Sequence, residues 1–316
     1  MHHDAVHAIK VLSENGRHFL RSTLDEIGRD DETGNRNAVI FVAAAVEVLL
    51  KTRLALEHWT LLFEDPSKAK LQDLKSGEFL SVQASKLVQR LNNVAPLSLK
   101  SDSPDQVFRL RNRMVHYGPP PQLAVRVELA VGLGFALDFI HKHLLSELPT
   151  EEQTELETLK QEITEVFSKL DEFRTDRLAA LEAELNTRAT TVTCPDCNQE
   201  ALVIDSEDDA DTCLFCLATT DGEELAQRYV SDVLWWSWKD EADGGENPLH
   251  ECFNCESFAL VAGAQVARRP KLTHVCFTCA AVFEAEDLGR CGRCGALKAS
   301  DDEALCSGCW TDVVSG

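Results

Sequence analysis

The first 193 residues contain no cysteine, so any thiolate chemistry belongs to the remainder of the chain. No apolar run reaches the ~18 residues of a membrane-spanning helix, which excludes a helical membrane anchor and predicts no membrane partner. Positive charge is scarce: 31 Lys and Arg stand against 53 Asp and Glu, a formal charge of -22. Proteins that coat nucleic acid or lie on anionic membranes need a basic face, so neither is a whole-molecule role. Residues 1–10 hold three histidines and no apolar signal core, which predicts a cytoplasmic location. What is present is a 316-residue chain, 44% hydrophobic and 27% charged, long enough for two or three soluble domains.

All 12 cysteines fall in pairs: Cys194/Cys197, Cys213/Cys216, Cys252/Cys255, Cys276/Cys279, Cys291/Cys294 and Cys306/Cys309. Two thiolates three positions apart in a tight turn can face one ion, and six such pairs form a zinc-ligand pattern. A disulfide framework needs an export route that this chain does not signal, and a redox motif does not recur six times. We expect about three structural Zn2+ per chain, bound by nearest-neighbour or by cross-braced pairing. A RING-type ligase would need an eight-ligand order that is absent, although His250 and His274 lie near the pairs.

Charge divides the chain in the same place. Residues 1–190 carry 29 acidic and 23 basic side chains, net -6, whereas residues 191–316 carry 24 and 8, net -16. Each four-thiolate zinc site adds about two further negative charges, because four thiols ionise against one dication.

Hydrophobic periodicity reads as helix through residues 1–148. Helices are predicted over 5–27, 38–63, 78–91, about 103–116 and 123–145. A loop is expected at 28–35, with Asp65-Pro66 ending the second helix. Ser103-Pro104-Asp105-Gln106 reads as an N-cap, a first-turn proline and a capping-box glutamine, and Tyr117-Gly-Pro-Pro-Pro121 ends that helix. Over 149–190, Leu156, Leu159, Ile163, Val166, Leu170 and Phe173 repeat at spacings of three and four, a short coiled-coil seam that predicts self-association. Ribbons are expected at 191–221, 222–283 and 284–316. The first has a strand at 201–204 and an acidic turn at 206–211; the second is preceded by a helix over 223–238 rich in tryptophan (Trp235, Trp236, Trp238).

One segment of the helical half stands out: Arg109-Leu-Arg-Asn-Arg-Met-Val-His116-Tyr. At about 100° per residue, Val107, Phe108, Leu110, Met114 and Val115 share one side, while Arg109, Asn112, Arg113 and His116 share the other. Arg111 falls in the apolar sector, where a guanidinium needs an anionic partner. Glu47, inside the apolar second helix with Lys51 four residues on, is the matching anomaly, and the two are expected to meet. The plain structural roles are a salt bridge for Arg111 and a helix-terminal cation for His116.

The segment resembles the active motif of HEPN-domain ribonucleases: an Arg, a polar residue directly after it, then His, here Arg111, Asn112 and His116. Val46-Glu47-Val48-Leu49-Leu50-Lys51 with Glu57-His58-Trp59 is similar to an early helix of such proteins. Arg-x4-His spacing occurs three times, but Arg53/His58 and Arg269/His274 have Leu54 and Pro270 after the Arg. The resemblance covers about residues 1–148.

It implies a helical bundle, a homodimer that gathers two motifs in one cleft, and metal-independent cleavage of RNA by its own 2′-OH. In that chemistry His116 moves protons, Arg111 clamps phosphate, Asn112 orients, and Arg109 and Arg113 line the RNA groove. The implied biology is a toxin or antiphage effector.

The expected architecture is thus multidomain: an all-α bundle, a coiled-coil linker helix and three small zinc-ribbon β units. The acidic ribbons suit a protein partner or antitoxin, with Arg268, Arg269, Lys271, Arg290 and Arg293 as local basic spots for RNA. The alternative is a non-catalytic dimeric adaptor that presents ribbons to another protein.

Overall fold

The computed structural model describes residues 3–29, 31–118, 121–205, 211–242, 244–300 and 304–315. The chain forms two compact units, residues 1–180 and 181–316, and the boundary falls within a helix.

The first unit is helical. Its main elements are α1 (His3–Ile27), α2 (Glu32–Glu57), α3 (Leu71–Ser76), α4 (Leu87–Val94), α5 (Asp102–His116), α6 (Gln122–His143), α7 (Thr150–Lys169) and α8 (Asp171–Leu185). α2 is the central rod: α1, α4, α5 and α6 all pack on it. Its nearly solid apolar sequence suits that position, because Ala38, Val42, Ala45, Val46, Leu50 and Leu54 are all fully enclosed.

Local chemistry moves several predicted boundaries. The expected loop at 28–35 is shorter, because the Asp31 carboxylate accepts from the Gly34 amide at 2.6 Å and starts α2 at Glu32. α2 stops at Glu57, since His58 is extended (φ -164°) and its ring nitrogen accepts from the Thr60 amide; Asp65 instead caps a short 3-10 turn. The helix expected over 78–91 forms only from Leu87, as α4, after a 3-10 turn at Ala84–Lys86. Leu80, Ser81 and Val82 pair with Leu62, Phe63 and Glu64 through Glu64 N–H to Leu80 (2.9 Å) and Val82 N–H to Leu62 (2.9 Å), and Phe79 stacks on Phe63. α5 begins at Asp102 rather than at Pro104, and Ser101 gives no side-chain cap. Its end at His116 is where the glycine and prolines require it.

The seam from Leu156 to Phe173 belongs to this unit, whereas residues 181–190 of the expected linker belong to the second. α7 packs against α1 and α6, and Leu156, Leu159, Ile163 and Phe167 are completely buried there. The Ser13 hydroxyl donates to Glu152 at 3.0 Å, tying α1 to α7 in a buried contact that also includes Arg17. Exposing three leucine-sized residues would cost roughly 5–9 kcal/mol. The Leu156, Leu159 and Ile163 part of the seam is therefore covered within the chain, whereas Val166 and Leu170 are only half-buried. The run also breaks at Leu170, which turns extended (φ -108°, ψ 109°) between α7 and α8.

The second unit is built on short antiparallel ladders. The first sheet runs β1 (Thr191–Val192), β2 (Leu202–Val203), β3 (Asp211–Cys213), β4 (Thr219–Thr220) in sequential order. Residues 206–210 of the expected acidic turn lie outside the described residues. α9 (Gly222–Arg228) follows, then a π-turn over Tyr229–Val233 and α10 (Trp238–Ala242). The helix expected over 223–238 is broken at Trp235, whose φ is +56°. The second sheet is β5 (Leu249–His250), β6 (Leu260–Ala264), β7 (Thr273–Cys276), β8 (Val282–Phe283), and the third pairs β9 (Leu288–Arg290) with β10 (Leu297–Ala299). α11 (Ser307–Ser315) closes the chain. A Val192–Val266 bridge joins the first two sheets. Among the described residues no helix is long and apolar enough to cross a membrane.

Candidate functional site

The cysteines form three four-membered groups: Cys194, Cys197, Cys213, Cys216; Cys252, Cys255, Cys276, Cys279; and Cys291, Cys294, Cys306, Cys309. Nearest-neighbour pairing is therefore realised, and cross-bracing is not. Within each group the sulfurs lie within 4.8 Å of one another, and none is in a disulfide.

The geometry suits a tetrahedral metal. A metal–sulfur bond of about 2.3 Å implies sulfur–sulfur edges of about 3.8 Å. The separations are 3.8 Å for Cys194–Cys216, 3.7 Å for Cys197–Cys213, 3.8 Å for Cys252–Cys279, 3.6 Å for Cys255–Cys276 and 3.7 Å for Cys294–Cys306. A disulfide would need about 2.05 Å.

Backbone amides aim at the thiolates: Cys279 N–H donates to Cys276 Sγ at 3.5 Å, Cys306 N–H to Cys291 Sγ at 3.3 Å and Cys309 N–H to Cys306 Sγ at 3.5 Å. Amides of Cys294, Cys306 and Arg293 lower the Cys291 thiol to about 5, which favours the ligating anion. In the first group, hydrogen bonds from the other three thiols hold Cys194 far below the ordinary thiol range.

Five of the six Cys-x-x-Cys turns share one backbone form. The residue after the second cysteine is left-handed: Asn198 (57°), Leu217 (61°), Glu256 (62°), Ala280 (57°) and Gly295 (76°). The first cysteine's N–H donates to the carbonyl five residues on, as in Cys194 to Gln199 (2.9 Å), Cys252 to Ser257 (2.8 Å) and Cys276 to Ala281 (2.9 Å). Cys306/Cys309 differs because it starts α11. Gly295 and Asn198 are residue types that readily adopt this conformation, whereas Leu217, Glu256 and Ala280 give no sign of it in the sequence.

Four of the five basic side chains singled out in the second unit have acidic partners. Arg269 pairs with Glu284 (3.1 Å), Lys271 with Glu286 (3.7 Å) and Arg293 with Asp312 (3.7 Å); Arg290 pairs with Glu246, and Arg268 donates to the Leu185 carbonyl (3.0 Å). They do not form a basic surface. Trp235 is 82% exposed, whereas Trp236 is half-buried.

In the helical unit, α5 sets the motif. Val107, Phe108, Leu110 and Met114 anchor it in the core. Arg111 is half-buried, and its guanidinium lies 4.0 Å from Glu47 of α2. Glu47 also accepts from Lys51 at 2.7 Å, and Lys51 reaches the Ser81 hydroxyl at 3.0 Å. The Nε of Arg111 is buried without a hydrogen-bond partner among the described residues. Arg109, Asn112, Arg113 and His116 are all exposed, and Arg109 and Arg113 have no ion-pair partner among the described residues. Val115 departs from the wheel: it is 51% exposed, next to Tyr117 at 91%. Arg36 of α2 approaches the Met114 carbonyl at 3.4 Å, a tie that the sequence did not signal.

No protein-family model matches the chain, and no curated protein or solved structure matches it.

Proposed function

We propose that this protein is a metal-independent endoribonuclease of the HEPN type, with Arg111, Asn112 and His116 as its working residues. The observation that supports this most directly is the end of α5. A cation lies half-buried beside Glu47, while a histidine, an amide and two cations without ion-pair partners among the described residues project from the same two turns. A fixed guanidinium stabilises charge that builds on a phosphate, and a solvent-reached imidazole can take or give the proton of the attacking or leaving oxygen. One histidine cannot do both at once. Two copies related by a two-fold axis supply an acid and a base, and exposed Val115 and Tyr117 beside His116 give such a contact an apolar centre. Such an enzyme would need restraint until triggered, which is the reading as toxin or antiphage effector.

We infer that the three four-cysteine groups hold zinc and that the zinc is structural. Its ligands number four in each group, which leaves no open position for substrate. Small sheets of two or four short strands have too little core to fold unaided.

Incubation with total RNA tests the activity. His116→Ala and Arg111→Ala should each remove cleavage with the fold intact, and the products should end in 2′,3′-cyclic phosphate. Full cleavage by His116→Ala would sink the reading. In that case the adaptor reading takes over, and exposed Trp235 on acidic ribbons is the observation that favours it.

A further inference from the structure

Trp235 combines two properties that folding does not need together. Its indole is 82% exposed, and its backbone is left-handed at φ +56°. A single exposed apolar side chain is ordinary and signals nothing. A bulky residue at positive φ is not ordinary, because its Cβ crowds the following carbonyl, and glycine would hold the same turn without strain. Asn198, Leu217, Glu256 and Ala280 share the left-handed form, but each follows a Cys-x-x-Cys pair. Arg268 shares it too, and its side chain binds the Leu185 carbonyl. Trp235 has neither explanation, and so exposed a ring gains little from packing. Strain kept at an exposed side chain points to a role outside the fold.

The turn is held from both sides. Leu234 N–H donates to the Tyr229 carbonyl at 3.0 Å, and Trp236 N–H to the Val230 carbonyl at 3.1 Å. Beyond the indole, the Ser237 N–H and hydroxyl both donate to the Asp240 carboxylate, at 2.7 and 2.8 Å. Tyr229 is itself fully buried, with its ring 5.0 Å from that of Phe277. The indole is presented on a fixed support, which leaves little to order when a partner arrives.

Charge around the turn selects the partner. From Tyr229 to Asn247 the chain carries five acids (Asp232, Asp240, Glu241, Asp243 and Glu246) against the single base Lys239. Asp232 and Asp240 are exposed, and neither has an ion-pair partner among the described residues. Such a field repels phosphate, which argues against a nucleic acid stacked on the ring. It attracts a guanidinium, which also lies flat on an indole face. A second copy of this chain brings the same formal charge of -22 and is repelled.

From this arrangement we propose that Trp235 anchors a docking site for an arginine-bearing segment of another protein. One guanidinium of the segment lies on the indole, and its neighbouring basic residues meet Asp232 and Asp240. The site is in the second unit and the Arg111 motif in the first, so the proposal does not rest on the ribonuclease reading.

The full-length, metal-loaded protein can be titrated in a calorimeter with a short peptide of alternating arginine and glycine at physiological salt. The citrulline counterpart keeps the planar head and lacks the charge. The arginine peptide should bind saturably, at least tenfold tighter than the citrulline one. Trp235→Gly should weaken that binding at least tenfold without lowering the melting temperature of the second unit, because glycine accepts the turn freely. No saturable binding, equal affinity for the two peptides, or full affinity in Trp235→Gly would overturn the proposal, the last because charge alone would then attract the peptide. A marked fall in melting temperature in Trp235→Gly would make the indole a packing residue and overturn it as well. So would tighter binding of a single-stranded RNA at this residue, or a dimer in sedimentation that Trp235→Gly abolishes. RNA cleavage enters none of these readouts.

Discussion

The Arg111 guanidinium lies 4.0 Å from Glu47, and Lys51 binds the same carboxylate at 2.7 Å. One anion thus holds two cations, and α5 is fixed to α2 at the residue on which the proposed chemistry depends. The pair is part-exposed, so its own stability contribution is small, about 0–1 kcal/mol.

This sharing makes Arg111→Ala a usable test. Glu47 keeps Lys51, so the substitution leaves no unpaired buried anion. Urea unfolding should show a loss of no more than about 1 kcal/mol. RNA cleavage should fall by about 10²-fold or more, the scale of one lost transition-state contact. A large stability loss with unchanged cleavage would assign Arg111 a purely structural role.

Metal release should follow burial. The first cysteine group is fully buried, the second is half so, and the third includes exposed Cys294. Elemental analysis should give about three zinc ions per chain. Release to a coloured chelator should be fastest from the third group, and Cys294→Ser should remove that fastest phase. Simultaneous loss of all three ions would contradict independent sites.

The left-handed turn positions give a pair of opposite stability predictions. Gly295 has φ +76° and open space around it, so Gly295→Ala costs only backbone strain, about 1 kcal/mol. Glu256 is exposed at φ +62°, so Glu256→Gly should stabilise its ribbon by about 0.5 kcal/mol once the greater freedom of glycine in the unfolded chain is counted. Thermal melts of the metal-loaded variants, compared with the parent, read both signs.

Acid should weaken the helical unit through two histidines. Burial lowers His141 below its ordinary 6.5, helped by the Lys160 ammonium at 3.2 Å, and burial also lowers His143. Below about 6.5 the unfolded chain binds protons that the folded one refuses, so stability is complete above that pH and falls as pH drops through it. Urea midpoints measured by circular dichroism at pH 7.5 and 5.5 should show this loss. His141→Gln should flatten it.

The close fit of α9 gives a further test. A Cβ on Gly222 would lie 2.5 Å from the Phe277 carbonyl oxygen. That neighbour is backbone and cannot swing aside. Gly222→Ala should destabilise the second unit by about 1–3 kcal/mol, as judged by its melting temperature.

Some of this was legible in the sequence. Periodicity located α1, α6 and most of α2, and the run from Gly118 to Pro121 fixed the end of α5. The approach of Glu47 to Arg111 followed from two charges on apolar faces that each required a partner. The stretch from Glu78 to Lys86 was misread as helix, because the backbone pairing of Leu80 and Val82 with Glu64 and Leu62 depends on a segment brought close by folding. Val115 was misplaced because a helical wheel assigns a side but not how far the core extends around it.

The sequence by itself determined the six Cys-x-x-Cys turns, since each is made by four consecutive residues, whereas which two turns share a site was decided by the tertiary structure. The sequence also determined the division into a cysteine-free helical part and an acidic cysteine-rich part, because composition is local. Only the tertiary structure decided what covers each face. It directed the Leu156–Ile163 seam to α1 and α6 and paired the arginines of the ribbons with nearby acids. The physical reason is that periodicity specifies that a face must be buried, whereas the partner that buries it is chosen by packing among segments far apart in the chain.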